Sequence, residues 1–259
     1  MKVRAKKHLG QHFLKNDSIS KQIAEALTMH NNAKIAIEIG PGMGALTKFL
    51  LKKIEDFELH VVELDYESVD YLKKNFIELE NRIISHDFLK IPLSQITTEP
   101  LTIIGNFPYN ISSQILFKAV ENKDQVTELV GMFQKEVAER IAEPPGSKRY
   151  GILSVLLQAY YDLEYLFTVD AQEFDPPPKV QSGVIRMRRN TREKLPCDDK
   201  LFKRVVKTAF NQRRKTMRNS LKALIIEFEV DKDLEVFNKR PEQMSVEQFI
   251  ELTLLFEGK

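Results

Sequence analysis

The sequence predicts an α/β fold: a mostly parallel seven-stranded sheet with helices on both faces, followed by a small C-terminal helical domain. Three observations lead there. Short β-branched runs alternate with helix-period runs up to Arg189, which is how a parallel sheet with crossover helices reads. A Gly-x-Gly-x-Gly turn, Gly40 to Gly44, falls between the first such run and the helix after it. After Arg189 the texture changes: residues 190–199 are polar with a proline, and only helical patterns follow.

Taken in order, residues 18–29 read as a helix, with Ile19, Ile23, Ala26 and Leu27 on one face and Asn16 or Asp17 as N-cap. Strands are expected at 34–39, 58–63, 82–86, 101–105, 126–133, 162–169 and 180–188. Helices are expected through Leu46, Phe49 and Leu50, and at 67–76, 112–121, 134–142 and 151–160. No helix separates the last two strands, so one of them is expected to pair antiparallel. Beyond residue 200, Leu201, Val205 and Phe210, then Val246, Phe249, Ile250 and Leu254, recur at helical spacing. The boundary is placed near 190, giving a first domain of 1–189 that carries the sheet and a helical domain of 190–259. The tail is too short for a large core of its own.

The chain has 259 residues, 42% hydrophobic and 29% charged. At roughly 100–200 residues per domain, that fits one large domain or one with a small companion. No apolar run reaches the ~18 residues of a membrane span, so no membrane partner is expected. The basic N-terminus lacks the apolar stretch of a secretory signal; a transit peptide is the competing reading. The one cysteine, Cys197, excludes a disulfide framework or a cysteine-based zinc site within the chain. It reads as a linker thiol rather than a nucleophile and fits a reducing, cytoplasmic setting. No metal is expected.

The net charge of +2 conceals two basic segments. Residues 1–15 carry Lys2, Arg4, Lys6, Lys7 and Lys15 without an acid, +5 in all. Residues 203–222 carry Lys203, Arg204, Lys207, Arg213, Arg214, Lys215, Arg218 and Lys222 without an acid, +8 in all, leaving −11 on the remainder. Two basic segments on an acidic body point to a polyanionic partner.

Three strand ends outline a nucleoside site. In Glu38-Ile39-Gly40-Pro41-Gly42-Met43-Gly44, glycines let the backbone turn tightly and approach a ligand without a Cβ in the way. The spacing is tighter than the dinucleotide fingerprint, which lowers the case for a nicotinamide cofactor. Glu63, at the end of the next strand, offers a carboxylate to both hydroxyls of a ribose. Asp87, after the third strand, can accept from an adenine amine.

The sharpest motif is Gly105-Asn106-Phe107-Pro108-Tyr109-Asn110, directly after the apolar strand at 101–105. An adenine N6 lone pair is delocalised into the ring and is a poor nucleophile. It improves when acceptors hold its protons and favour a tetrahedral nitrogen. Asn106 offers a side-chain oxygen. Pro108 has no N–H, so its carbonyl is expected to face the site without a competing local donor. Tyr109 offers an aromatic face to the base. With a sulfonium methyl donor no strong base is needed; the work is alignment for in-line displacement and stabilisation of the cationic amine by oriented oxygens.

The sequence resembles the ribosomal RNA adenine-N6 dimethyltransferases, specifically those of the small-subunit (16S) RNA. The matching segments are Leu9-Gly10-Gln11-His12-Phe13-Leu14, Ile37 to Gly42, Val62-Glu63-Leu64-Asp65, Gly105 to Ser112, Phe174 to Ser182 and Ala209 to Thr216. Phe107 stands where many relatives have leucine, and both are apolar. The resemblance implies a Rossmann-like S-adenosylmethionine-dependent methyltransferase fold. It implies that His12, Leu14, Gly40, Gly42, Glu63, Asp87 and Asn106 bind the cofactor. It also implies that Asn106, Pro108 and Tyr109 act in catalysis, with Phe174 closing the target-base pocket opposite Tyr109. The implied reaction places two methyls on each of two adjacent adenines near the 3′ end of 16S rRNA in the 30S subunit. Separately, a monomer with no obligate protein partner is expected. Lys203, Lys207, Arg213, Arg214 and Arg218 are the candidate phosphate contacts. The alternatives are a large-subunit RNA methyltransferase, a DNA adenine methyltransferase, a non-catalytic or dual-role ribosome assembly factor and, weakest, a nicotinamide oxidoreductase.

Overall fold

A computed structural model describes residues 3–258; Lys2, counted above in the first basic segment, lies outside them. After a 3-10 turn at Lys7–Leu9 come a short strand, β1 (Phe13–Leu14), and a helix, α1 (Asp17–Glu25). Asn16 is the cap: its side-chain oxygen accepts from the backbone N–H of Ser18 at 2.9 Å and of Ile19 at 3.3 Å, satisfying donors that a helix start leaves bare.

Strands and helices then alternate as expected. They are β2 (Ile35–Ile39), α2 (Thr47–Leu50), β3 (Glu58–Glu63), α3 (Tyr66–Asn75), β4 (Ile83–Ser85), β5 (Leu101–Asn106), α4 (Ser112–Glu121), β6 (Val126–Gln134) and α5 (Lys135–Ala142). After α6 (Ile152–Gln158) come β7 (Tyr161–Val169), β8 (Phe174–Asp175) and β9 (Ser182–Arg189). Seven strands form one sheet in the order β4-β3-β2-β5-β6-β9-β7. β2 pairs parallel with both β3 and β5, so strand order reverses between β2 and β5. In such sheets the crevice at the reversal is where ligands bind. β9 pairs antiparallel with β6 and lies beside β7, to which no crossover helix joins it. β5 and β6 are buried on both faces almost throughout, which explains their unbroken apolar runs.

A two-stranded ribbon was not foreseen: β1 pairs antiparallel with β8, Phe13 opposite Asp175 and Leu14 opposite Phe174. Two-residue strands leave no periodic signal.

Packing divides the chain into two units. The first runs to Ala138 and resumes at Asp162–Arg189; the second comprises Glu139–Tyr161 and the chain from Asn190 onward. The second unit is therefore larger than the expected 190–259. The reason is aromatic and polar anchorage: the Tyr150 ring lies 6.4 Å from that of Phe210, and the Tyr160 hydroxyl donates to Asp199 at 2.8 Å. Its later helices are α7 (Asp199–Asn211), α8 (Met217–Ser220), α9 (Lys222–Glu227) and α10 (Val246–Phe256). Phe210 packs on Phe249 at 5.9 Å between ring centroids.

One packing detail anchors the loop after β5. Gly105 and Gly131 are partners across β5 and β6, and the Phe107 ring lies on both. A Cβ at Gly131 would stand 2.0 Å from the ring, and one at Gly105 would stand 2.7 Å from it. Phe107 is 1% exposed and meets Phe133 edge-on at 5.2 Å. Gly131→Ala is therefore expected to destabilise the fold by about 1–3 kcal/mol through overpacking. Urea unfolding checks this; an unchanged midpoint would mean that Phe107 shifts without cost.

Among the described residues, no helix is long and apolar enough to cross a membrane.

Candidate active site

A cavity of about 440 Å³ opens at the carboxyl ends of β2 to β5. Its walls include nine of the residues singled out from sequence: His12, Leu14, Gly40, Gly42, Glu63, Asp87, Asn106, Pro108 and Tyr109.

The glycine turn forms because Gly40, Gly42 and Gly44 take φ of +64°, +56° and +80°, where a side chain is strained. The Gly42 N–H donates to Glu63 Oε2 at 3.0 Å, and the Asp65 N–H donates to Oε1 at 2.8 Å. Glu63 is 5% exposed. Burial pushes its carboxyl above the usual range, against the pull of those two amides. Asp87 caps its own loop, accepting from the Leu89 N–H at 3.0 Å.

Asn106 donates from Nδ2 to the His12 carbonyl at 2.9 Å. Because a carbonyl only accepts, this contact assigns the amide orientation and leaves Oδ1 as the free end. The Tyr109 hydroxyl lies 2.5 Å from Ser182 Oγ, and the His12 ring stacks on Tyr109 at 5.6 Å between centroids. His12 Nδ1 donates to the Pro176 carbonyl at 2.7 Å.

Three expectations change. The Pro108 carbonyl does have a local donor, the Ile111 N–H at 3.1 Å, because the segment closes into a turn ahead of α4; one lone pair remains for a ligand. Phe174 does not line the cavity. It is 1% exposed and packs in the core, since pairing with Leu14 turns it inward while Asp175 faces out. In the second unit, Arg213 donates from Nη2 to the carbonyls of Ser147 and Lys148. Arg218 pairs with Asp233 at 3.1 Å and donates to Asn238 at 3.2 Å. Long cations find acceptors within a folded unit, so composition overstates the free charge. Arg214 and Lys207 are exposed, and Lys203 is half-buried.

Two supporting residues were missed. Lys118 on α4 donates to the carbonyls of Phe88 and Ile91 and lies 4.6 Å above the Phe88 ring, holding the loop that carries Asp87. Ser182 fixes Tyr109. Neither is near its partner in sequence, so no local pattern could have paired them, although Ser182 closes one of the matching segments. Cys197 is buried, and burial pushes its thiol up to about 11, against nucleophilic use.

Glu38 is 1% exposed and accepts from Thr47 Oγ1 at 2.6 Å. Burial, with neighbouring Glu63, raises its pKa from 4.5 to about 8. Between those values the folded state holds a proton that the unfolded state has lost, so stability falls as pH rises. Glu38→Gln cannot ionise. The Tm of the native protein minus that of Glu38→Gln is expected to decrease from pH 5 to 8; a flat difference would show that Glu38 ionises normally.

The family model for ribosomal RNA adenine dimethylase matches residues 2–256. The chain belongs to this family. It is 60% identical over 253 residues to the ribosomal RNA small subunit methyltransferase A of Parabacteroides distasonis, covering 98% of this chain and 94% of the relative. To the protein of the same name from Cytophaga hutchinsonii it is 55% identical over 258 residues, covering 100% and 99%. A dimethyladenosine transferase structure from Plasmodium falciparum shares the fold, with TM-score 0.80, 23% identity and coverage of 95% and 98%. The family member described here is an S-adenosylmethionine-dependent ribosomal RNA methyltransferase.

The cavity fits that cofactor. Gly40 lines the cavity with φ of +64° and no side chain, and an added Cβ would come into ordinary contact with Pro108 at 3.7 Å, so glycine keeps that space for a ligand. A buried carboxylate residue, Glu63, and the apolar residues Ile39, Leu64 and Phe88 line the same cavity, as a ribose and an adenine require.

Proposed function

We propose that the chain dimethylates the N6 amines of two adjacent adenines near the 3′ end of 16S rRNA within the 30S subunit, as a step in small-subunit biogenesis. It acts as a cytoplasmic monomer, with residues 1–189 bearing the catalytic site and the helical tail contacting RNA. The observation that carries this reading is the Asn106 amide, held by the His12 carbonyl so that Oδ1 is left to accept from an amine.

When bound, S-adenosylmethionine would supply an electrophilic methyl on a sulfonium, whose sulfur leaves as a neutral thioether as the N–C bond forms. Glu63 holds the ribose hydroxyls and Asp87 the adenine amine, with His12, Leu14, Gly40 and Gly42 completing the wall. In the first transfer Asn106 Oδ1 and the remaining lone pair of the Pro108 carbonyl accept the two N6 protons and draw the nitrogen lone pair out of the ring; in the second, one of the two acceptors holds the single proton that remains. Tyr109, steadied by Ser182, stacks the target base, a contact of about 1–3 kcal/mol. His12 covers one face of that ring, so the base takes the other. After transfer, the cationic amine releases a proton to water, and Oδ1 and the carbonyl oxygen stabilise its charge beforehand. Lys203, Lys207 and Arg214 contact phosphates; Arg213 and Arg218 shape that surface as well as charging it.

The test is transfer of labelled methyl from S-adenosylmethionine to unmethylated 30S subunits, 50S subunits and duplex DNA. Transfer to 30S alone supports the reading. Transfer to 50S or DNA instead overturns the substrate, and tight 30S binding without transfer points to an assembly factor.

A further inference from the structure

The Asn106 side chain has one protein hydrogen-bond partner among the described residues, the His12 carbonyl at 2.9 Å. The two ends of a carboxamide are alike in shape and opposite in chemistry. If the amide turned over, Nδ2 would point at the target amine, donor against donor. Catalysis by Asn106 therefore depends on where the His12 carbonyl is held.

Gln11, immediately before His12, is committed at both ends. Its Oε1 accepts from the Lys6 N–H at 2.8 Å, and its Nε2 donates to Asp65 Oδ2 at 3.2 Å. The Lys6 ammonium binds the other oxygen of Asp65 and reaches Glu67 at 3.2 Å. The Asp65 side chain is wholly buried and is further bonded by the Glu67 N–H at 3.2 Å and Ser68 Oγ at 3.3 Å. Asp65 is thus a fixed post at the end of β3, and the chain from Lys6 to Gln11 is fastened to it. Gly10 takes φ of +66° and lies so close to Asn110 that a Cβ would stand 2.7 Å from Oδ1. The same segment therefore also rests on the loop that bears Asn106.

We propose that Gln11 and Lys6, docked on Asp65, are positioning residues for methyl transfer: they hold His12 so that its carbonyl keeps Asn106 Oδ1 facing the cavity. Neither touches the reacting atoms. The inference rests on the role given to Asn106 above.

The experiment uses the full chain with Gln11→Glu, which sets a carboxylate against Asp65, and with Lys6→Met and Lys6→Arg. Methyl transfer to unmethylated 30S subunits is measured, together with solvent exchange of the 15N-labelled Asn106 side-chain amide in the free protein. Gln11→Glu and Lys6→Met are expected to lower kcat by roughly 10- to 100-fold with both KM values unchanged, and to speed exchange at Asn106. Lys6→Arg keeps charge and donors and is expected to retain both properties. Unchanged kcat and unchanged exchange would overturn the proposal. So would a loss confined to the cofactor KM, which would make this segment a cofactor clamp. If Gln11→Glu does not fold, Lys6→Met and Lys6→Arg decide. If the native protein methylates no RNA, the reading of function fails, while amide exchange still reports whether the latch orients Asn106.

Discussion

Asn106→Ala is expected to slow single-turnover methyl transfer by about 10²–10³-fold, the loss seen when one oriented group at a developing charge is removed. Two effects combine. The amine loses the acceptor that pulls its lone pair out of conjugation, and the His12 carbonyl loses the Nδ2 donor 2.9 Å away. The rate with 30S subunits and saturating cofactor checks this, with cofactor affinity measured in parallel. Affinity is expected to change far less than the rate. Asn106→Asp separates the effects further: it keeps an acceptor but sets a carboxylate against the His12 carbonyl. Rates unchanged in Asn106→Ala would remove this residue from the mechanism.

Glu63→Gln is expected to weaken S-adenosylmethionine binding by about 10- to 100-fold, since hydrogen bonds to charged acceptors contribute about 1.5–3 kcal/mol. In the native protein both carboxylate oxygens already accept from backbone, Gly42 at 3.0 Å and Asp65 at 2.8 Å. A glutamine would present an NH2 to one of those N–H groups, so the backbone at Gly42 or at Asp65 would move as well. Calorimetric titration of the cofactor measures this directly. An unchanged Kd would mean that ribose recognition lies elsewhere in the cavity.

The elements of the sheet were legible because each is long enough to show its period. Glu58–Glu63 and Ser112–Glu121 lie where their patterns place them, and the expected antiparallel strand is β9, which no crossover helix joins to β7. The glycine turn, Glu63, Asp87 and the Asn106–Tyr109 loop were legible because ligands collect at the carboxyl edge of such sheets, next to each strand in sequence. What was not legible is what joins distant segments. The β1–β8 ribbon, the Lys118 clamp on the Asp87 loop and the Gln11–Asp65 contact are set by tertiary packing, which leaves no local pattern. Phe174 shows the same limit: a phenylalanine before three prolines reads equally well as a clamp or as core, and its pairing with Leu14 decides for core. Arg213 and Arg218 show it for charge, where composition counts cations but not the acceptors the fold brings to them.

The most direct test of the central claim is nucleoside mass spectrometry of 16S rRNA from unmethylated 30S subunits incubated with the protein and S-adenosylmethionine. The account predicts N6,N6-dimethyladenosine, confined to two adjacent positions near the 3′ end. Monomethyladenosine as the final product, or methylation at another base or atom, would contradict it.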